Sequence, residues 1–303
     1  MCSTCGCNDD AGVRVDGRSV TGLTLIANPA HDPHSHPHDH PHSHPHGHDS
    51  DVHPTETVLF EQSLLAHNDL LAARNRGWLE GRGIRALNVM SSPGSGKTTL
   101  LVRTLTECAL TEFALTASGG RMPFAVVEGD QETSIDADRI RATGVPVVQV
   151  NTGAGCHLDA DMLRHALDTL DPDPGCTVLI ENVGNLVCPA LFDLGEAAKV
   201  VIVSVTEGDD KPRKYPHMFA AADLVVINKS DLLPYVEFDV ERCASQARQL
   251  NPNVDVLVVS ATTGAGLDGW YHWLTRPSGA IRGDATRGEA NPGDTDAHYY
   301  THY

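Results

Sequence analysis

Ser91-Ser92-Pro93-Gly94-Ser95-Gly96-Lys97-Thr98-Thr99 follows the short apolar run Leu87–Met90 and precedes a helical stretch. Strand, glycine-rich turn and helix in that order make a phosphate-binding loop, here with Ser at the usual first Gly. Gly94 and Gly96, with Ser95 between them, permit backbone N–H groups to turn inward around phosphate oxygens. The helix entered at Lys97-Thr98-Thr99 presents its positive end to the same anion. Lys97 is placed to reach the outer phosphates, and the Thr98 hydroxyl to bind Mg²⁺. A glycine-rich turn without a ligand is the bland alternative. The intact Gly-Lys-Thr-Thr in its strand–loop–helix context argues against it.

Outward from this loop, short apolar runs alternate with amphipathic stretches. Leu87–Met90, Phe124–Glu128, Val145–Val150, Thr177–Ile180, Val200–Val205, Leu224–Asn228 and Val256–Val259 read as strands, with helical stretches between most of them. Near-continuous Val/Ile/Leu runs fit strands buried on both faces. The expected fold is therefore α/β: a mostly parallel sheet of about seven strands flanked by helices. Upstream, Thr55–Leu79 carries Val58, Leu59, Leu65 and Leu71 near helical spacing and is expected to pack on the domain. The folded domain is expected over residues 55–276 of the 303, ample for one core. Residues 1–54 have too few apolar side chains to offset the entropy of ordering them, and read as a disordered Cys/His-rich segment. Residues 277–303, rich in Gly, Asp, Asn and Thr, read as a flexible tail.

A second motif concerns the base. Asn228-Lys229-Ser230-Asp231 follows a strand. The Asp231 carboxylate can accept from both N1 and N2 of guanine, whereas adenine would leave it unpaired. Lys229 is expected over the base plane, and Ser260-Ala261-Thr262, after the last strand, fits a base-supporting loop. Alone, Asn-Lys-x-Asp is also a good turn; placed after a phosphate loop it points to GTP. Two acidic positions compete for the rest of the Mg²⁺ and water chemistry. Glu181-Asn182-Val183-Gly184 ends a strand where many GTPases carry Asp-x-x-Gly, and Asp130 ends another. Either can hold Mg²⁺ directly or through water, and either can instead cap a helix. No residue announces itself as the base for the attacking water.

Three groups of Cys and His can bind metal. Cys2, Cys5 and Cys7 place three thiols within six residues, suited with backbone nitrogens to Ni²⁺ or, closed tetrahedrally, to Zn²⁺. Surface or redox-active thiols are the alternative. The tract of His31, His34, His36, His38, His40, His42, His44, His46 and His48, spaced by Pro, Asp, Ser and Gly, offers high capacity for nickel or zinc without a single geometry; a polar spacer is the competing reading. Cys156-His157, after Asn151-Thr152-Gly153-Ala154-Gly155, and Cys188, before Pro189, lie at the C-terminal ends of strands, where α/β sheets place ligands. Three ligands fall short of a closed tetrahedron, so water or a second subunit is needed to complete the set. Cys108, Cys176 and Cys243 are expected to be packing residues.

The net charge of −18 argues against nucleic acid and anionic membranes as partners. With no apolar run of spanning length and no signal-like start, a cytoplasmic protein is expected. In a reducing compartment, its eight cysteines are expected as thiols or ligands.

The combination resembles the HypB family, the hydrogenase nickel-incorporation GTPases. The resemblance rests on Cys2-x-x-Cys5-Gly6-Cys7, the His tract, the phosphate loop, Glu128-Gly129-Asp130, Gly155-Cys156-His157-Leu158-Asp159, Glu181 to Pro189, Glu207-Gly208-Asp209-Asp210-Lys211-Pro212 and Asn228 to Tyr235. It implies GTP hydrolysis, a homodimer, a HypA-like nickel protein as partner and the hydrogenase large-subunit precursor as client. It also implies that Cys156, His157 and Cys188 form a nickel or zinc site of the GTPase domain, and that Cys2, Cys5 and Cys7 form a tighter nickel site. The tail inherits no role. A urease-type chaperone, a passive metal buffer and a phosphate-loop kinase are the competing readings; Asn-Lys-x-Asp argues against the last.

Overall fold

All seven apolar runs form strands of one sheet. In chain order the elements of this computed structural model are β1 (Arg14–Val15), β2 (Arg18–Ser19), α1 (Glu56–Gly81), β3 (Arg85–Ser91), α2 (Lys97–Cys108), β4 (Phe124–Asp130), α3 (Ile135–Arg141), β5 (Val147–Asn151), α4 (Ala160–Leu170), β6 (Thr177–Glu181), α5 (Cys188–Leu191), β7 (Ala198–Ser204), α6 (Lys211–Lys214), α7 (Pro216–Ala220), β8 (Leu224–Asn228), α8 (Val240–Leu250), β9 (Asp255–Val258) and α9 (Leu267–Thr275). The structure describes residues 14–16, 18–19, 56–108, 123–131, 134–153 and 155–276. Cys2, Cys5, Cys7, the His tract and the tail lie outside the described residues.

The sheet order is β2-β1-β5-β4-β6-β3-β7-β8-β9. From β5 to β9 every pairing is parallel. Every residue of β3, β6 and β8 is buried, as expected of strands with helices on both faces. Alternate side chains of β3 serve opposite faces. Leu87 and Val89 pack with Leu100, Leu105, Trp270 and Trp273, whereas Ala86 packs with Leu163, Leu167 and Ile180, and Met90 with Val201 and Phe219. The phosphate loop thus leaves the centre of the sheet.

Two features differ from the sequence reading. The first is β1 with β2, which lies inside the segment expected to be unstructured. β1 pairs antiparallel with the β5 edge, Arg14 opposite Asn151 and Val15 opposite Val150, and buries Val15. Two-residue strands carry no periodicity for sequence to reveal; the open edge of β5 pairs with β1, and β1 in turn with β2. The second is how α1 docks. The helix is present, but Leu65 and Leu71 are only half-buried, and Val58 and Leu59 belong to its first turns, whose side chains lie outside the described set. The buried stripe is Asn68, Ala72, Asn75 and Leu79. Asn75 Nδ2 donates to Ala160 O at 2.7 Å and Leu194 O at 3.1 Å, and Asn68 Nδ2 donates to Asp193 O at 2.8 Å. Two amides therefore anchor the helix, each satisfied by buried backbone. Among the described residues no helix is long and apolar enough to cross a membrane.

Candidate nucleotide and metal site

The phosphate loop adopts the turn its glycines allow. Gly96 has φ +91°, and a Cβ there would lie 2.6 Å from Asn228 Nδ2. The loop borders an open cleft of about 530 Å³ whose walls include Glu128, Asp130, Asp136, Arg139, Gly184 and Lys229. Lys97 Nζ and Thr98 Oγ1 both meet Glu181 Oε1 at 2.5 Å. The two groups expected to take phosphate and Mg²⁺ are thus gathered by one carboxylate from the end of β6. Glu128 stands beside Glu181 in the parallel register. Burial, then Glu181 and Asp130, push its carboxyl up to about 8, which keeps it protonated at neutral pH. Oε2 of Glu128 and Oε2 of Glu181 are buried without a hydrogen-bond partner.

The residues expected around the base are bound to one another and to the phosphate loop. Asn228 Nδ2 donates to Ser95 O at 2.9 Å, and its Oδ1 accepts from Ala261 N at 3.0 Å. One amide thereby ties the phosphate loop to the base-supporting loop. Lys229, left-handed at φ 63°, donates from Nζ to Gly94 O at 2.7 Å. Ser260 Oγ donates to Asp231 Oδ1 at 2.5 Å, orienting the carboxylate. Sequence reasoning missed the hub role of Asn228 and two supports. Arg103 on α2 donates to Ala261 O at 3.2 Å and Thr262 O at 2.8 Å while held by Glu107 at 2.7 Å. Glu207 accepts from Ser92 Oγ and pairs with Lys211 at 3.1 Å, joining the Glu-Gly-Asp-Asp-Lys-Pro segment to the phosphate loop. The charged spacing Arg103/Glu107 was visible in sequence, but its target was not.

The third metal group converges. The ligand atoms of Cys156, His157 and Cys188 lie within 4.8 Å of one another. Burial holds the His157 imidazole down at about 4, so it presents a neutral ring at ordinary pH; Phe192 lies 3.9 Å away, centroid to centroid. Thiolate and imidazole donors suit Ni²⁺ or Zn²⁺. Cys108, Cys176 and Cys243 are buried, with thiols pushed up by burial to about 11, 11 and 12: packing residues, as expected.

Both loops that carry these candidate ligands touch the phosphate-loop side. Thr152 N donates to Asp130 O at 2.9 Å, and Thr152 Oγ1 to Gly155 O at 2.7 Å. Asn182, next to Glu181, accepts from Leu158 N at 3.2 Å, and Asn185 Nδ2 donates to Cys156 O at 3.2 Å. A Cβ on Gly184 would sit 3.2 Å from Pro93 Cα, so the chain between Glu181 and Cys188 runs against the phosphate loop. Leu232, Leu233 and Val236, beside the Asn-Lys-x-Asp loop, pack partly buried against the core of their own chain.

A phosphate loop at the centre of a parallel sheet, tied through Asn228 to an Asn-Lys-x-Asp cradle, defines a P-loop guanine-nucleotide-binding domain. Residues 85–258 match the family model for the CobW/HypB/UreG nucleotide-binding domain. The chain is 55% identical to the hydrogenase maturation factor HypB of Azotobacter vinelandii, over 76% of this chain and 74% of that one. It is 42% identical to HypB of Cupriavidus necator, over 94% and 91%. The crystal structure of Helicobacter pylori HypB in complex with nickel superposes with a TM-score of 0.62 at 39% identity, covering 69% of this chain and 93% of that one. The chain belongs to the HypB family of hydrogenase maturation factors.

Proposed function

We propose that this chain is a GTP-hydrolysing nickel metallochaperone that stores or delivers nickel for the maturation of nickel-iron hydrogenase, with GTP binding coupled to metal binding and to dimerisation. The observation that carries the reading is the continuity of one segment: Glu181, which holds Lys97 and Thr98, leads directly past the phosphate loop to Cys188.

In this reading Asp231, oriented by Ser260, reads the N1–N2 edge of guanine. The phosphate loop and Lys97 take the polyphosphate. The orphaned Glu181 Oε2, buried beside the Thr98 hydroxyl, fits a cation, so Thr98 with Glu181 or Asp130 would hold Mg²⁺. That ion neutralises charge on the outer phosphates. As phosphate draws Lys97 away from Glu181, the segment leading to Cys188 is free to shift. Asp130, through Thr152, transmits the same event to Cys156-His157. Hydrolysis reverses both, loosening nickel or zinc for transfer to a HypA-like partner and then to the hydrogenase large-subunit precursor. In a two-fold dimer the same loops meet across the axis and complete the ligand set. The N-terminal thiols Cys2, Cys5 and Cys7 form a tighter nickel site, and His34 to His48 a reservoir.

The test is turnover and capacity together. GTP should be hydrolysed in strong preference to ATP, and replacing residues 31–48 by a Gly/Ser segment should lower bound nickel while hydrolysis continues. Equal use of both nucleotides, or unchanged nickel stoichiometry, contradicts the reading. Co-purification of a urease precursor in place of a hydrogenase one would redirect it to a different client.

A further inference from the structure

Among the described residues three cations line the cleft, Lys97, Lys229 and Arg139, against the carboxyl groups of Glu128, Asp130 and Asp136. Lys97 is committed to Glu181 and the outer phosphates, and Lys229 to Gly94 and the base side. Arg139 has no part in the machinery described above. It projects from α3, which is fixed by the fully buried Ala137 and Ile140. Asp136 lies one turn before it on the same helix face and pairs with Nη1 at 3.1 Å. Nη2 donates to Thr99 Oγ1 at 3.3 Å. Both partners of the ion pair remain substantially exposed, at 45% and 44%, so the pair is weak and the guanidinium is free to change partners.

We propose that Arg139 is a nucleotide-binding residue, a cationic arm that reaches across from α3 to the inner phosphates of the bound guanine nucleotide. This rests on the GTPase reading and adds a ligand to it. The position selects the inner phosphates. Thr99, which Arg139 already touches, stands beyond Lys97 and Thr98, the residues assigned to the outer phosphates and Mg²⁺; the backbone of such loops cradles the α- and β-phosphates. The chemistry requires such an arm. A polyphosphate entering a cleft with the carboxylates of Asp130 and Asp136 in its wall, on a chain of net charge −18, meets repulsion that a further cation beside Lys97 and Lys229 offsets. A planar fork of donors suits phosphate oxygens better than a point charge. On nucleotide binding the guanidinium exchanges Asp136 for phosphate oxygens.

The test is the affinity of the full-length chain for GDP and for a non-hydrolysable GTP analogue, in unmodified protein, Arg139→Ala, Arg139→Lys and Lys97→Ala. Arg139→Ala should weaken both nucleotides by the same factor, roughly tenfold to a hundredfold, the range for a charge-assisted hydrogen bond, and should flatten the salt dependence of GDP binding. Arg139→Lys should restore part of the loss, which a purely structural role would not produce. Unchanged affinities in Arg139→Ala overturn the inference, and so does a loss confined to the GTP analogue, because that would place the arm on the γ-phosphate. GDP binding by the unmodified chain that is lost in Lys97→Ala establishes the pocket itself, so that the Arg139 result judges this inference alone. No GDP binding by the unmodified chain would remove both readings.

Discussion

The carboxylate of Glu181 accepts the hydroxyl of Thr98 at 2.5 Å. The same oxygen pairs with Lys97, so the end of β6 closes on the two groups proposed to take phosphate and Mg²⁺. With side chains 11% and 1% exposed, Lys97 and Glu181 form a buried ion pair, and losing either partner leaves the other charge stranded. Removing one charge while keeping the shape is the cleaner probe. Glu181→Gln should lower Mg²⁺-dependent GTP turnover by about a hundredfold or more, in line with losing a preorganised electrostatic group. Full turnover in that variant would exclude Glu181 from the chemistry.

In the proposed reading, base choice depends on Asp231. Asp231→Ala should collapse the preference for GTP over ATP by about a hundredfold or more, because a site built to pair polar edges loses its discrimination with its acceptor. The change should come from weaker GTP binding, measurable as affinity for GDP against ADP.

Much of this was legible in sequence. The phosphate loop, the Asn-Lys-x-Asp cradle and all seven apolar runs were readable because each is a local signal, set by spacing along a single element. The meeting of Cys156-His157 with Cys188 was a harder matter. Their loops follow β5 and β6, which are separated in the sheet by β4. Only the strand order brings them together, and strand order is not local. The contact also depends on Gly129 of β4. A Cβ there would stand 2.8 Å from Leu158, so the bare glycine lets the metal loop cross the strand end. Likewise nothing nearby in sequence names the carbonyls that Asn68 and Asn75 of α1 bind.

Gly129→Ala follows from that crossing. The added methyl must displace the buried Leu158 side chain, at a cost of about 1–3 kcal/mol typical of overpacking. Because His157 precedes Leu158, metal affinity at the Cys156 site should fall as well. Stability and zinc affinity both equal to the unmodified protein would show that Leu158 yields without moving the ligands.

A pH dependence arises where α1 is clamped. Burial tends to raise the Asp193 carboxyl, but the hydrogen bonds from Arg76, at 2.6 and 2.8 Å, and from Gly195 N hold it below the usual range. A depressed carboxylate contributes stability above its unfolded value of about 3.9, and loses it as pH falls through the lower folded value. Asp193→Asn should therefore be less stable than the unmodified chain at pH 7. The difference should shrink below about pH 4 as Asp193 itself is protonated. A gap that stays constant down to acid unfolding would contradict this account of the clamp.

The central claim is that nucleotide and metal share one moving part, the chain from Glu181 to Cys188 with the Thr152–Cys156 loop beside it. The most direct measurement is the zinc and nickel affinity of a chain with Cys2, Cys5 and Cys7 changed to Ser and residues 31–48 replaced by Gly/Ser of equal length, saturated with GDP or with a non-hydrolysable GTP analogue. That design keeps β1 and β2, which a cut at residue 54 would strip from the β5 edge. The account predicts tighter metal binding and more dimer with the GTP analogue, metal tightening the analogue by the same factor, and loss of the difference in Cys156→Ala and Cys188→Ala. Equal metal affinity and equal dimer content in the two nucleotide states would contradict it.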